Sequence, residues 1–199
     1  MANREKLHAK ERGKWKHDKW YAFGRSQNLS EMEQRKILTP SIAQEASYTL
    51  DNEGIYYFLG SGGGGGGGYG ITLKTDLKES YEYILGLLNS RLLDWMLKRI
   101  SSTFRGGYFA FSRQFIESLP IRTIDFSNPA EKEMHDRIAA LVRAMLTLKQ
   151  RQSATSSEQE NIVLQSQIDT TDAEINNCVY TLYGLTKGEI SIIDEVIEV

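Results

Sequence analysis

Residues 81–100 have the sequence YEYILGLLNSRLLDWMLKRI and carry the strongest apolar periodicity in the first half of the 199-residue chain. Large apolar residues recur there at steps of three and four, which is the spacing of one face of an α-helix. Asn89-Ser90 interrupts the pattern and indicates a break between two helices. We therefore expect residues 79–100 to be helical and to supply the main core element of this half.

The segment that follows is basic and free of acid. Between Trp95 and Ile116 there is no Asp or Glu, and four cations are present: Lys98, Arg99, Arg105 and Arg113. Ser112 is a good N-cap for a short helix over Gln114–Ser118. Leu119-Pro120-Ile121 then predicts an extended exit from that helix.

Short strands are predicted before the central helices. Lys36–Pro40, Ser47–Leu50 and Ile55–Leu59 are candidates, with a hairpin turn at Asp51–Gly54 between the last two. A run of seven glycines, Gly62–Gly68, predicts a mobile loop, and Ile71-Thr72-Leu73 resumes a strand. The Lys-Ser/Thr that a phosphate-binding loop requires does not follow the glycines.

The N-terminal segment is basic and has several open interpretations. Residues 1–19 hold seven Lys and Arg against three acids, which suits a fraying helix, a linker, a DNA-facing arm or a solvated terminus. The aromatic run Trp20–Arg25 then indicates a strand or a short extended segment.

The C-terminal part predicts an antiparallel helical hairpin. Asn128 suits an N-cap and Pro129 the first helical position. Two heptad-spaced apolar seams follow, joined by the polar stretch Arg151–Ser157, and Gly184 is placed to cap the second helix. Lys187–Val199 predicts a short final helix. The seam residues are Met134, Ile138, Leu141, Met145 and Leu148 in the first helix, and Leu164, Ile168, Ile175, Val179 and Leu182 in the second.

The balance of charge changes at the start of the predicted helical hairpin, between residues 127 and 128. Residues 1–127 contain 18 Lys and Arg against 14 Asp and Glu, and residues 128–199 contain 6 against 12. We therefore predict a recognition domain over 1–127 and a helical hairpin over 128–199, with any polyanion docking on the first. The single cysteine, Cys178, is expected in the core. Without a signal peptide or a bilayer-length apolar run, the expected compartment is the cytoplasm.

Several motifs together resemble a known family. The run Tyr83–Trp95, then RGGYFAFSRQFI over 105–116 and Leu119-Pro120-Ile121, is similar to the TaqI-like C-terminal specificity domain of adenine-N6 DNA methyltransferases, which include the type IIG enzymes. The segment Ile175–Glu189 resembles the end of type IIG chains. The resemblance implies an α+β fold: a mixed recognition domain followed by a helical hairpin that acts as a spacer or an assembly surface.

The same resemblance implies a restriction–modification system in which this part selects the DNA site. The methyltransferase part would bind S-adenosylmethionine and flip the adenine, so the expected partners are double-stranded DNA and a methyltransferase domain or subunit. Catalytic motifs are absent from this sequence, because Asn128-Pro129 is followed by Ala130 and the three prolines form no nuclease pattern. We therefore expect a module that is not an enzyme and holds no cofactor. It is either a fragment or a separate subunit.

DNA recognition needs cations for phosphates and hydrogen-bonding side chains for base edges. Arg105 beside two glycines and the polar stretch after Gly24 are the leading candidates for base contacts, and local ion pairing is the structural alternative for each arginine. Weaker phosphate candidates are Lys14, Lys16, Lys19 and Arg35. The predicted DNA-binding set is Arg25, Gln27, Asn28, Lys36, Lys98, Arg99, Arg105, Tyr108 and Arg113.

Aromatic and histidine residues are less specific signals. Trp20, Tyr69 and Tyr108 suit core or loop packing at least as well as base contacts. His8, His17 and His135 lack ligand spacing, so no metal site is expected. The alternative function is a helical assembly subunit whose C-terminal helices pair with a partner or a second copy.

Overall fold

A computed structural model describes residues 4–13, 19, 29–58 and 67–195. Within these residues the fold is α+β, as the sequence predicts. The helices are α1 (Arg4–His8), α2 (Leu29–Met32), α3 (Tyr81–Leu88), α4 (Arg91–Ile100), α5 (Arg113–Ile116), α6 (Pro129–Ala154), α7 (Glu158–Tyr183) and α8 (Lys187–Glu195), with a 3-10 turn at Lys10–Gly13. The strands are β1 (Lys36–Pro40), β2 (Ile42–Ala43), β3 (Thr49–Asp51), β4 (Gly68–Ile71), β5 (Thr103–Phe104) and β6 (Tyr108–Ala110).

The strands form two small antiparallel sheets, in the orders β3-β1-β4 and β2-β6-β5. In the first sheet, Ile37 lies opposite Leu50 on one side and Ile71 on the other. Ser41 joins the two sheets, because its amide donates to the Gly67 carbonyl and its carbonyl accepts from the Phe111 amide. The two sheets are therefore held together at the end of β1.

The strand predictions are partly confirmed. β1 has the predicted bounds, and β3 begins two residues later than Ser47. The predicted strand at Ile55–Leu59 is wrong over its described residues, since Ile55–Phe58 pairs with no strand. The reason is local: the Asp51 carboxylate accepts hydrogen bonds from the amides of residues 54, 55 and 56, which curls the chain away from a hairpin. The aromatic run Trp20–Arg25 lies outside the described residues.

The central helices form as predicted, with the break at Asn89-Ser90. Ser80 caps α3 and Ser90 caps α4, each accepting from the amide three residues on. Asn89 follows the last residue of α3 and ties this end of the helix to the residue before β3. Its side-chain amide accepts a hydrogen bond from the Tyr48 amide and donates one to the Tyr48 carbonyl. Residues 83–88 of α3 are all buried, so this helix lies at the centre of the core.

The helical hairpin of α6 and α7 is also confirmed. Asn128 caps α6 and Pro129 occupies its first turn, whereas Gly184 ends α7 with a left-handed φ of 67°. The turn is shorter than predicted, since α6 continues to Ala154. α8 follows from Lys187, and Cys178 is buried in the core as expected.

The hydrophobic core continues across residue 127. Ile138 and Val142 of α6 and Val179 of α7 pack in the same cluster as the residues of α3. A Cβ placed on Gly86 would lie 2.9 Å from the Cγ2 atoms of both Ile138 and Val142, so glycine permits α3 and α6 to cross closely. The division at 127/128 remains a prediction, and the two parts share one core at the base of the hairpin.

No helix among the described residues combines the length and apolar character needed to cross a membrane.

Replacing Gly86 with Ala tests this crossing. The added methyl overpacks the contact at a cost of about 1–3 kcal/mol, and the preference of a helix for Ala over Gly offsets about 1 kcal/mol of it. We therefore expect the free energy of unfolding to fall by up to about 2 kcal/mol. Gly188→Ala in α8 is the matched control, because nothing lies within 4 Å of its added Cβ. Urea unfolding measures both, and equal stability of the two variants would contradict the close crossing.

Candidate nucleic-acid interface

The basic, acid-free stretch predicted from the sequence folds back on itself. It comprises the end of α4, the hairpin of β5 and β6, and the start of α5; we term residues 98–113 the basic segment. The Ser101 hydroxyl donates to the Ala110 carbonyl at 2.7 Å, and the Ala110 amide donates to the Ser102 carbonyl at 2.9 Å. These bonds fasten the base of the hairpin to the end of α4.

The tip of this hairpin is a three-residue loop. Phe104 pairs with Tyr108 across the two strands, and Arg105, Gly106 and Gly107 connect them. Gly106 and Gly107 have φ values of +87° and +75°, a left-handed conformation that residues with a Cβ rarely adopt. The Gln44 side chain donates to the Gly106 carbonyl at 3.1 Å and braces the tip from outside.

The two acids that flank the stretch pair with two of its cations. The Lys98 ammonium lies 2.6 Å from the Asp94 carboxylate, and Arg113 Nε lies 2.6 Å from Glu117. Burial raises the pKa of Asp94, against the opposing effect of Lys98 and the Ala46 amide. Lys98 therefore serves mainly as the counter-ion of Asp94. Its ammonium has three donors, so a shared phosphate contact remains a prediction.

Arg99 and Arg105 are the more available cations. The Arg99 guanidinium carbon lies 4.1 Å from the centroid of the Trp95 ring, a stacked arrangement that leaves the side chain exposed. Arg105 is exposed at the hairpin tip, and no carboxylate lies within 4 Å of its side-chain nitrogens among the described residues. Both arginines therefore have donors free for an anionic ligand.

Lys36 is a correction to the predicted set. Its side chain is 0% exposed, its ammonium donates to the Asp51 carboxylate and to the Met32 carbonyl at 2.5 Å each, and it cannot reach a phosphate. Burial alone would raise the pKa of Asp51, but the hydrogen bonds from Lys36 and the amides of Tyr56 and Ile55, with the Lys36 charge, lower it to about 2. Lys36 is part of the fold, not of the interface.

The remaining candidates divide by position. Arg35 is engaged, with its guanidinium 2.7 Å from Glu82 and stacked over the Tyr81 ring. Tyr69 lies half-buried in β4, and Lys19 is exposed. Outside the described residues lie Arg25, Gln27 and Asn28 of the predicted set, together with Lys14, Lys16, His17 and Trp20.

Some interface features have only a weak sequence signal. Phe104 is 47% exposed and Tyr108 is 41% exposed, and their symmetric placement about Arg-Gly-Gly is the one hint that they form a pair. Gln44 has no such hint, because its contact with the tip spans 62 residues of sequence.

A groove of about 790 Å³ lies elsewhere, between the first sheet and the distal part of α6. Tyr56, Tyr57 and Gln150 contribute to its lining. Its buried acid, Asp51, is already satisfied by Lys36 and three amides, and the glycine run leads into the strand β4 and not into a helix. The buried carboxylate of this groove is therefore not available to bind S-adenosylmethionine, the cofactor that the resemblance implies for the methyltransferase part. Among the described residues, no three His, Cys, Asp or Glu cluster at metal-binding range.

An α+β domain with an exposed basic hairpin at its surface has the form of a nucleic-acid-recognition module. Residues 3–121 match the family described as the TaqI-like C-terminal specificity domain. The chain belongs to this family, and the matched span contains the whole basic segment.

Curated relatives are restriction–modification proteins. The chain is 27% identical over 182 residues to the type II restriction enzyme and methyltransferase RM.Eco57I of Escherichia coli, covering 90% of this chain and 18% of the relative. It is 31% identical over 138 residues to M.HindII and 37% identical over 135 residues to M.HincII, type II methyltransferases of Haemophilus influenzae, covering 66% and 65% of this chain. The chain spans only 25% of each of these two relatives.

The Asp51 ion pair predicts a pH dependence of stability. The folded pKa lies below the ordinary value of 3.8, so the stabilisation is complete above that value and is lost as the pH falls towards 2. The free energy of unfolding should fall less steeply between pH 5 and pH 2.5 in Asp51→Asn than in the wild type. Asp76→Asn at an exposed turn is the matched control, and an equal slope in Asp51→Asn and wild type would refute the assignment.

Proposed function

We propose that this chain is the DNA target-recognition module of a restriction–modification methyltransferase and that it binds duplex DNA through the basic segment. The observation that carries the proposal is the acid-free stretch over residues 95–116, folded into an exposed hairpin with Arg105 at its tip. This stretch lies inside the family match.

The exposed ion pair of the basic segment is weak enough for a phosphate to replace the carboxylate. Arg113 and Glu117 form an exposed pair four residues apart on a short helix, a type worth about 0.3–0.5 kcal/mol. A phosphate can therefore displace Glu117 at little cost. Arg99 and Arg113 are proposed as phosphate contacts, and Arg105 is proposed to reach a base edge, where a guanidinium binds guanine in a bidentate manner.

Methyl transfer is proposed to belong to a separate methyltransferase part, as a domain or a subunit. S-adenosylmethionine would bind there, and this chain would contribute no catalytic group. The similarity to RM.Eco57I, a restriction enzyme and methyltransferase, supports the further proposal that the complete enzyme is of type IIG and also cleaves DNA.

The direct test is selection from a pool of random-sequence duplexes at low and moderate salt, followed by sequencing of the retained DNA. The proposal predicts enrichment of one short motif and affinity that falls steeply with salt, because phosphate contacts release counterions. Retention without enrichment would limit the function to non-specific docking. No retention at low salt would refute it.

Charge variants separate base contacts from phosphate contacts on the selected duplex. Arg113→Gln should weaken binding to all sequences and reduce the salt slope by about 0.9. Arg105→Gln should cost about 1–3 kcal/mol on the selected site and relax the preference at one position. Arg143→Gln, at an exposed position on α6, is the matched control and should bind as the wild type. Equal loss in all three variants would point to net charge alone.

A second candidate function is assembly through the helical hairpin. Ile162 and Val163 form an adjacent exposed apolar pair on α7. Deletion at Ser127 cannot test it, because the base of the hairpin belongs to the shared core. If these residues mediate self-association, Ile162→Glu with Val163→Glu should halve the mass measured by light scattering of a dimer, whereas Thr170→Glu should not. A monomeric wild type would exclude a homo-oligomer.

A further inference from the structure

We infer that Phe104 and Tyr108 form an aromatic clasp that contacts thymine methyl groups in the DNA major groove. This inference rests on the proposed function and specifies how the hairpin of β5 and β6 engages a duplex. Phe104 and Tyr108 lie directly opposite each other in the register of the two strands. Directly opposed side chains have their Cβ atoms about 4.5–5.5 Å apart, so the two side chains start from adjacent positions at the base of the Arg105 tip.

The exposure of this pair is not explained by the fold. Phe104 and Tyr108 are about half exposed, whereas the next residue, Phe109, packs against the core on the other face of the hairpin. Successive strand residues point to opposite faces, so the hairpin has one core-facing and one outward aromatic side. Exposed aromatic residues grouped on a fixed projection are typical of a contact surface.

The positive charge around Phe104 and Tyr108 favours a polyanionic partner. Arg105 lies between the two aromatic residues in sequence, and no acid occurs from residue 95 to residue 116. Basic side chains interleaved with aromatic ones suit a polyanion with apolar groups, and DNA has both. A protein partner would instead need its own acidic surface, and it enters below as an outcome of the test.

The shape of the hairpin selects the groove. The tip is held in advance of binding by the Gln44 bond to Gly106 and by the bonds between Ser101, Ser102 and Ala110. A two-stranded ribbon fits the major groove of undistorted B-DNA, which is about 12 Å wide, whereas the minor groove, at about 6 Å, must first be widened or bent to take strands. The apolar groups exposed in the major groove are the thymine 5-methyl groups, whereas Arg105 between the rings would reach a guanine edge.

The test compares the selected duplex with the same duplex in which uracil replaces thymine, which removes only the methyl groups. Wild-type affinity should fall by about fourfold for each methyl group contacted. Phe104→Thr and Tyr108→Thr replace each aromatic residue with a β-branched one, which also favours a strand, and should bind the thymine duplex about 5- to 20-fold more weakly, within the range of a lost apolar contact. The double variant should no longer distinguish thymine from uracil.

Two matched controls accompany these variants. Tyr108→Phe keeps the ring and should retain the preference for thymine. Tyr56→Thr removes a more exposed tyrosine, 63% accessible, from the groove outside the hairpin and should change nothing. Unfolding temperatures confirm that each variant is folded, and the comparison of the two duplexes with the wild type needs no variant at all.

The outcomes separate this inference from the proposed function. Equal wild-type affinity for the thymine and uracil duplexes overturns the clasp but leaves DNA recognition standing. Variants that bind both duplexes as tightly as the wild type also overturn it, and they assign the aromatic pair to a protein surface such as the methyltransferase part. Failure of the wild type to bind any duplex overturns both.

Discussion

The close crossing of α3 and α6 at Gly86 is the contact on which the other features depend. It lets the methyl groups of Ile138 and Val142 pack directly on the backbone of α3. α3 is therefore buried on the side that faces the helical hairpin of α6 and α7 as well as on the side that faces the first sheet. α4 begins three residues after α3 ends, and its first turn is fixed to the hairpin by the Asn176 side chain, which accepts from the Arg91 amide at 2.8 Å.

This arrangement sets the position of the basic segment. The end of α4 lies next to the end of β6, and the flanking acids, Asp94 and Glu117, each hold one cation at the edge of the segment. The cations nearest the hairpin tip stay available. The helical hairpin thus shares a hydrophobic core with the part that carries the basic segment, and its acidic residues belong to a separate part of the chain.

The sequence predicts well those features that depend on local pattern. Apolar periodicity, the break at Asn89-Ser90 and the helix start at Asn128-Pro129 are local signals, so the helix pair and the helical hairpin have nearly the predicted bounds. Ile55–Phe58 has β-prone residues, but the Asp51 carboxylate binds the amides that a strand would need. Such competition for backbone groups depends on the fold around Lys36.

Functional residues are predicted less well, because charge alone does not show where a side chain points. Lys36 and Arg35 are adjacent cations in a chain with a basic N-terminal part, yet both are engaged by acids distant in sequence. Arg105 is exposed and forms no ion pair among the described residues, so the structural alternative of a local ion pair does not apply to it, whereas its base contact stays a prediction. Phe104 became a candidate only through its register with Tyr108, which no local motif encodes.

Amide hydrogen exchange of the chain, with and without its selected duplex, tests the central claim most directly. If the basic segment contacts DNA, exchange should slow on DNA binding over residues 101–111, with no change at residues 49–58 or in the distal part of the helical hairpin. Protection confined to α6 and α7, with residues 101–111 unaffected, would contradict a DNA interface on the basic segment.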